Sequence, residues 1–376
     1  VERSPPTSPT RLETPEILRA DLVANAKTFH EEYDTYVLPD AIRVVQIAGW
    51  GAQTTKAVKY RERHSGPSYE TIFTREGDGT VVYPSAISSN ADETYYFNLA
   101  TYNALEDIPD HTHRNLLNAL PIKDTLLSII KRDPVSETSY VVGTKPVPGT
   151  LTNQLIVSTH SPVILGAYDQ DGHFSGINPN QDLNGEVLMV TEDIPGSTFI
   201  KSGESQYLFL PKTGSYAVSF VGIGSGPTTV EIGDFVGDIA SPIVSYTDIP
   251  VATSTSASFT VQSDAPQDAR IQVDINNDGV TDTYVAGDNQ ELTLVELMTN
   301  LKTTVQGLST TGKIKANLLK KVAGIEKKIV KQKAKRVSKA VMRLEQQVSK
   351  KAMKGKVSDA DAADILKLLE QIENAL

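Results

Sequence analysis

Two stretches of the chain carry residue types that could do chemistry together. In Arg75-Glu76-Gly77-Asp78-Gly79-Thr80-Val81-Val82-Tyr83-Pro84-Ser85-Ala86, two glycines flank one aspartate. Glycine accepts backbone conformations that other residues resist, so this turn can aim a single carboxylate. Further on comes Asp110-His111-Thr112-His113-Arg114-Asn115-Leu116-Leu117. A carboxylate on one loop and a histidine on a later one form the acid–base half of a nucleophilic acyl-transfer site. The imidazole takes the proton of a hydroxyl nucleophile, and the carboxylate fixes its tautomer and supports its cation. His111 and His113 lie two apart and would share a face of an extended segment. That spacing also suits a metal pair, but no third ligand is evident in sequence. The plainer reading of Asp78 is a turn or capping aspartate.

A second cluster points to a hard cation. Asp274-Ile275-Asn276-Asn277-Asp278-Gly279-Val280-Thr281-Asp282 places side-chain oxygens at Asp274, Asn276, Asp278 and Asp282, with a glycine at the sharp turn. This is the pattern of a structural Ca²⁺ loop. Val285 stands where a helix–loop–helix calcium site has its bidentate Glu, so a loop between strands is expected; an Asn-Asp-Gly hairpin turn is the competing reading. Asp169-Gln170-Asp171-Gly172 is a weaker echo, read as a plain turn. His30, His64, His160 and His173 have no such context and are read as ordinary. No organic cofactor is expected. Gly-x-Ser-x-Gly does not occur; Gly222-Ile223-Gly224-Ser225-Gly226 comes nearest and is read as a hairpin turn.

The elements that must position these residues follow from periodicity. A helix is expected over Ile17–Tyr33, strands over Ala41–Trp50, Tyr69–Phe73 and Thr94–Tyr102, and a helix carrying Leu116 to Ile130 with Pro121 and Pro134 as start and stop. After a Pro-rich linker, short strands separated by turns run from Thr150 to Tyr284, as in a β-sandwich. From Glu291 onward no aromatic residue occurs and apolar residues recur at helical spacing. Leu294, Leu297, Met298, Leu301 and Val305 form the first of four stripes, and Ser358-Asp359-Ala360-Asp361 resembles a capping box before the last. The expected architecture is therefore multidomain. A partial α/β domain covers 1–134, a linker 135–150, an all-β sandwich 151–290 and an all-α basic helical bundle 291–376.

Composition bounds the rest. The 376 residues contain no cysteine, which excludes disulfides and thiolate metal sites. No run approaches the ~20 apolar residues of a membrane span. The net charge of −10 hides an asymmetry: between Leu301 and Lys356, 17 Lys and Arg oppose only Glu326 and Glu345, so this block carries +15 and the remainder −25. The bland reading of the lysines is a solvated face. The alternatives are an anionic cell-wall polymer or an anionic membrane surface; nucleic acid is disfavoured, since no aromatic residue is available for base stacking.

The loop Gly77-Asp78-Gly79-Thr80-Val81, the earlier Gly49-Trp50-Gly51-Ala52-Gln53-Thr54-Thr55 and the later His113-Arg114-Asn115-Leu116-Leu117 together resemble the lecithin:cholesterol acyltransferase family of α/β hydrolases. The resemblance covers about residues 15 to 132, the C-terminal half of such a catalytic domain. Tyr83-Pro84 and the doubled histidine depart from the pattern. In α/β hydrolases the triad runs Ser, then Asp or Glu, then His. The resemblance thus implies Asp78 as the acid, His113 as the base with His111 as runner-up, an ester or lipid substrate, and a nucleophilic serine upstream of Val1. Trp50 is read as a core residue, with a place lining the acyl site as the alternative. Gly312-Lys313-Ile314, Leu318-Leu319, Val357-Ser358 and Ala362-Ala363 resemble the small helical FIMAH domain of bacterial secreted enzymes. The expectation is a fragment of a secreted or cell-surface bacterial or archaeal acyltransferase or lipase-like hydrolase, inactive by itself. The alternative is a non-catalytic, calcium-binding surface or adhesive protein with a degenerate hydrolase half.

Overall fold

The computed structural model describes residues 20–34, 36–63, 66–87, 90–105, 111–146, 153–160, 162–181, 183, 188–237, 239–288, 290–332 and 334–376, and side chains throughout these except at 20 and 60–70. The readings made for Val1–Pro15, the helix start at Ile17, His64, Asp110, Lys333 and much of the linker after Pro146 fall outside these residues. The chain divides into two compact units. The first comprises 1–155 with 195–198 and 234–241, and the second comprises the rest.

In the first unit, helix α1 (Ala20–Tyr33) precedes strand β1 (Val45–Trp50), hairpin strands β2 (Thr54–Arg63) and β3 (Gly66–Thr74), and the short helix α2 (Tyr83–Ala86). Strand β4 (Glu93–Asn98), helix α3 (Leu99–Asn103), a 3₁₀ turn (His113–Asn118), helix α4 (Leu120–Lys131) and strand β5 (Val141–Val142) follow. β1 and β4 run parallel, Val45 opposite Glu93 through Trp50 opposite Asn98, and β5 adds antiparallel to β4. Parallel neighbours need a crossover connection, and the hairpin and acid loop occupy it here. Phe97, Leu99, Tyr102, Ala119 and Ile122 make the core on one side, and Ala48, Trp50, Tyr83 and Tyr96 a second cluster. Full burial of a side chain such as Phe97 stabilises by roughly 1.5–3 kcal/mol.

The strand expected at Tyr69–Phe73 is present within β3, half of the β2–β3 ribbon with Thr54 opposite Thr74 at its root. Two other expected elements differ in form. The strand read to Tyr102 stops at Asn98, because the Asn98 side chain accepts from Thr101 N at 3.0 Å and caps α3 instead. The helix read from Leu116 is broken at Ala119 (φ −61, ψ 132). Pro121 has no N–H to continue a helical ladder backwards, so a 3₁₀ turn and a new helix form on either side.

From residue 154 onward the chain is antiparallel β followed by helices. One sheet has five strands in the order Thr198–Ser202, Ser205–Pro211, Gln154–His160, Gly226–Val236, Ile239–Val251. The other has seven, in the order Thr283–Val285, Ile271–Asp274, Ser256–Gln262, Ser215–Gly222, Val163–Tyr168, Phe174–Ile177, Val190–Glu192. The arrangement is sandwich-like. Buried Gln206, from the first sheet, accepts from Leu165 N at 2.9 Å and donates to the Val163 carbonyl in the second.

Four helices complete the unit: α5 (Leu294–Gly307), α6 (Gly312–Val330), α7 (Ala334–Ala352) and α8 (Asp359–Asn374). Their expected stripes converge on one core that includes Leu301, Val305, Leu318, Val341, Leu344 and Ile365. Thr293 N donates to Glu296 Oε2 at 2.6 Å, closing a capping box on α5, and Asp361 N donates to Ser358 Oγ at 3.1 Å to start α8. The bundle is also tied to the β region. Asn300 Oδ1 accepts from Tyr284 N at 2.7 Å and Asn300 Nδ2 donates to Tyr284 O at 2.8 Å, so a side-chain amide completes the sheet edge. No helix among the described residues is long and apolar enough to cross a membrane.

Candidate functional site

The end of β1 and the acid loop are built against each other. Gly51 N donates to Arg75 O at 2.7 Å and Ala52 N to Gly77 O at 3.1 Å, so the chain leaving β1 pairs with the chain entering the acid turn. Gly79 takes a left-handed conformation, φ +93, which favours glycine. A Cβ on Gly77 would lie 2.5 Å from Thr54 Oγ1 and 2.7 Å from Val81 O; one on Gly49 would lie 2.7 Å from Asp78 Cβ and 2.9 Å from Leu116 Cδ1. Glycine at these two places lets strand, acid and histidine loop approach closely. Thr54, fully buried, holds the turn from beneath: Oγ1 accepts from Gly79 N at 2.9 Å and donates to Ala52 O at 3.0 Å. Tyr83, from the part that departs from the acyltransferase pattern, is 1 % exposed, stacks edge-on to Tyr96 and donates to Glu76 Oε1 at 3.3 Å. Burial raises its phenol pKa, and Lys145 Nζ lies 5.3 Å from its ring centre.

Within this frame Asp78 is buried, and its two oxygens have different tasks. Oδ1 accepts from Thr80 N at 3.1 Å and Val81 N at 2.8 Å. Oδ2 lies 2.8 Å from His113 Nδ1. The backbone repeats the link, since His113 N donates to Asp78 O at 2.8 Å. The His113 side chain is 50 % exposed, against 9 % for Asp78, and among the described residues its Nε2 has no hydrogen-bond partner. A buried carboxylate on Nδ1 fixes the tautomer with Nε2 as the basic nitrogen. The histidine loop starts on its own cap, Thr112 N donating to Asn115 Oδ1 at 2.7 Å.

The structure therefore brings Asp78 and His113 together and places His111 elsewhere. His111 is buried, bracketed by Asn103 (Nδ2 to His111 O at 2.8 Å, His111 N to Oδ1 at 3.0 Å) and packed edge-on against Tyr102. Thr54 and Asn103 went unassigned in the sequence reading. Thr54 was legible only as part of a loop pattern, and Asn103 gave no signal. Trp50 is 9 % exposed and belongs to the core cluster with Tyr83 and Tyr96.

The loop with Asp274, Asn276, Asp278 and Asp282 lies between the antiparallel strands Ile271–Asp274 and Thr283–Val285. Asp274 accepts from Asp278 N (3.2 Å) and Gly279 N (2.7 Å), Asn276 from Asp278 N (3.0 Å), and Asp282 from Ile275 N (3.0 Å). Asn277 and Gly279 both have positive φ, as a tight turn requires, and backbone N–H groups take up the loop's side-chain oxygens; Asp274, Asp278 and Asp282 do not bring their carboxylates together within 4.8 Å. A different group is the one that gathers three ligand residues among the described residues: Asp169, Asp171 and His173, with ligand atoms within 4.8 Å of one another. His173, read as ordinary, thus has a specific context. Its Nδ1 is 2.8 Å from Asp169 Oδ2, and Asp169 raises its pKa. For Asp169, burial acts to raise the pKa, but the bonds from His173 and Asp171 outweigh it and the net direction is down. The Asp-x-Asp-Gly-His spacing could have signalled this turn. Gly222–Gly226 is a turn with no following helix, but it carries the chain from the seven-stranded sheet to the five-stranded one and is not a hairpin.

Neither a comparison with known protein families nor one with curated proteins returns a match.

Proposed function

We propose that the first unit carries the acid and base of a serine-hydrolase-type triad acting on esters, lipid esters included, with the nucleophile contributed by a segment outside the described residues. The observation that carries this reading is the 2.8 Å contact between buried Asp78, on the loop after β3, and half-exposed His113, on the loop after α3. His113 Nε2 takes the proton of the attacking hydroxyl and returns it to the leaving alcohol. Asp78 holds the imidazole and stabilises its cation without itself being protonated. Its Oδ1, saturated by two backbone N–H groups, keeps the carboxylate from rotating away.

A second feature supports the reading. β1 is the end strand of its sheet among the described residues, paired on one side with β4. In an α/β sheet, reactive groups gather at the carboxyl ends of adjacent parallel strands. A further parallel strand against β1 would bring a nucleophile to the side of the acid loop. The resemblance of the three loops to lecithin:cholesterol acyltransferases supports acyl transfer to an alcohol or water.

The test uses the whole encoded polypeptide. Turnover of a short-chain nitrophenyl ester is measured for the parent, Asp78→Asn, His113→Ala and His111→Ala, with circular dichroism as the folding control. Loss in the first two and retention in the third supports the reading. Activity that persists in folded Asp78→Asn and His113→Ala, or no activity in the parent, overturns it in favour of a non-catalytic surface protein.

A further inference from the structure

We propose that the cleft between the start of α6 and the end of α7 binds a linear anionic polymer with hydroxyl groups along its backbone, an anionic polysaccharide or a polyol phosphate. This site is independent of the Asp78–His113 pair.

The cleft measures about 1030 Å³, and Lys313, Lys351 and Lys356 line it. Its walls are held together at two points. Thr310 Oγ1 donates to Lys356 O at 2.6 Å, joining the loops before α6 and after α7; Gln347 Nε2 donates to Asn317 Oδ1 at 2.6 Å across the two helices. The cleft is thus bridged by hydrogen bonds on both of its walls.

Charge favours an anion strongly. The block from Leu301 to Lys356 carries +15. Among the described residues, none of its cations lies within 4.0 Å of a carboxylate, although acidic α8 belongs to the same bundle. A cationic surface without internal partners repels itself, and a polyanion that releases its counterions relieves this. The −25 on the rest of the chain confines such a polymer to α6 and α7. The first turn of α6 adds partial positive charge, and Thr311 makes no side-chain cap there.

The type of anion follows from what else lines the cleft. Of the 17 cations in the block only Arg336 and Arg343 are arginine. Lysine ammoniums are point charges, suited to spaced anions along a flexible chain more than to bidentate recognition of one group. Beside the lysines the cleft is lined by Ser309, Thr311, Asn317 and Gln347. These neutral hydroxyl and amide groups can exchange hydrogen bonds with hydroxyls spaced between the charges of a polymer, which inorganic polyphosphate lacks. No aromatic residue occurs after Glu291, so the helices offer neither a stacking platform for bases nor an aromatic anchor for a bilayer interface.

The experiment titrates the full chain with fluorescently labelled heparin, inorganic polyphosphate, single-stranded DNA and phosphatidylglycerol vesicles over a range of salt concentrations. Heparin is expected to bind most tightly, with affinity falling as salt rises. Neutralising Lys313, Lys351 and Lys356 to Gln should weaken it about tenfold or more and reduce the slope of log affinity on log salt by about two. A control set at the opposite end of the helices, Lys327, Lys328 and Lys335 to Gln, should cost much less. Gln347→Leu should weaken heparin and leave polyphosphate unchanged; should that variant lose helicity, Gln347→Met replaces it. Equal losses in the two lysine sets overturn the placement in the cleft. Tighter binding of DNA or vesicles than of heparin, or indifference to the Gln347 change, overturns the hydroxyl-bearing partner.

Discussion

Two aspartate–histidine contacts in this chain are nearly identical at the atoms and differ in everything that builds them. In the first unit Asp78 Oδ2 meets His113 Nδ1 at 2.8 Å, and in the second Asp169 Oδ2 meets His173 Nδ1 at 2.8 Å. Each aspartate also accepts two backbone N–H bonds through Oδ1. Yet Asp169 and His173 are four apart, and one turn around Gly172 sets both. Asp78 and His113 are 35 apart and meet only because β1, the root of the hairpin and the histidine loop pack together. The local pair follows from turn geometry and informs little about the rest of the molecule. The distant pair needs the tertiary structure, with three glycines and buried Thr54 committed to it. That investment is why the distant pair, and not the local one, is read as machinery. A third pair, His30 with Asp34 at the end of α1 at 3.0 Å, is local and exposed and belongs with the turn.

The largest expected effect would break this comparison outright. Asp78→Asn should lower ester turnover of the whole polypeptide by a factor of about 10⁴, as loss of the acid does in comparable triads. Asp169→Asn, the same change at the same contact distance, should leave turnover unaltered. Equal effects at the two sites would erase the distinction.

Next is the loop from Asp274 to Asp282, a turn whose geometry is also local. Ca²⁺ at a hundredfold excess over its Kd should stabilise the second unit by about 2.7 kcal/mol. Calorimetry against EDTA measures this, and Asp278→Asn should reduce it. A melting curve indifferent to both reagents would leave Asp274–Asp282 as a plain turn.

Thr54→Val sharpens the first half of the comparison. It leaves Gly79 N and Ala52 O without their partner beneath the acid turn, which should cost about 1–3 kcal/mol in denaturant unfolding. It should also weaken the Asp78–His113 contact, seen as a change in the His113 imidazole NMR signal. An unchanged signal would mean that the turn holds the carboxylate without help from β2.

The Asp169–His173 turn should show itself in pH dependence. His173 has a raised folded pKa, so its contribution is complete below the unfolded imidazole midpoint and lost as pH rises through the folded one. Asp169 has a lowered folded pKa, so its contribution holds above the unfolded carboxylate midpoint and is lost as pH falls through the folded one. His173→Ala should destabilise only between those limits, and Asp169→Asn should lower the NMR titration midpoint of His173.

The smallest effect concerns Glu345 on α7. Burial first, and then Glu373 and Glu370, raise its pKa, so its charged form opposes folding and the penalty fades as pH falls through that raised value. Glu345→Gln should raise the melting temperature by about 1–2 °C at neutral pH and not at all in acid.

The sequence by itself determined the element classes and their order. Apolar periodicity is a local property, and each stripe read from Leu294 onward, such as Leu297, Met298, Leu301 and Val305, lies in the helical core. Glycine-flanked Asp78 and capping Ser358 were legible for the same reason, since turn and cap chemistry act over three or four residues. Tertiary structure alone decided what depends on distant partners. It chose between His111 and His113, two residues with the same chemistry, by burying one against Tyr102 and placing the other on Asp78. It turned Tyr69–Phe73 into a hairpin arm, because pairing with β2 cannot be read from one strand. It also made Thr54 and Asn300 structural ties, since a threonine or an asparagine in a sequence carries no mark of the backbone it will meet once the chain has closed.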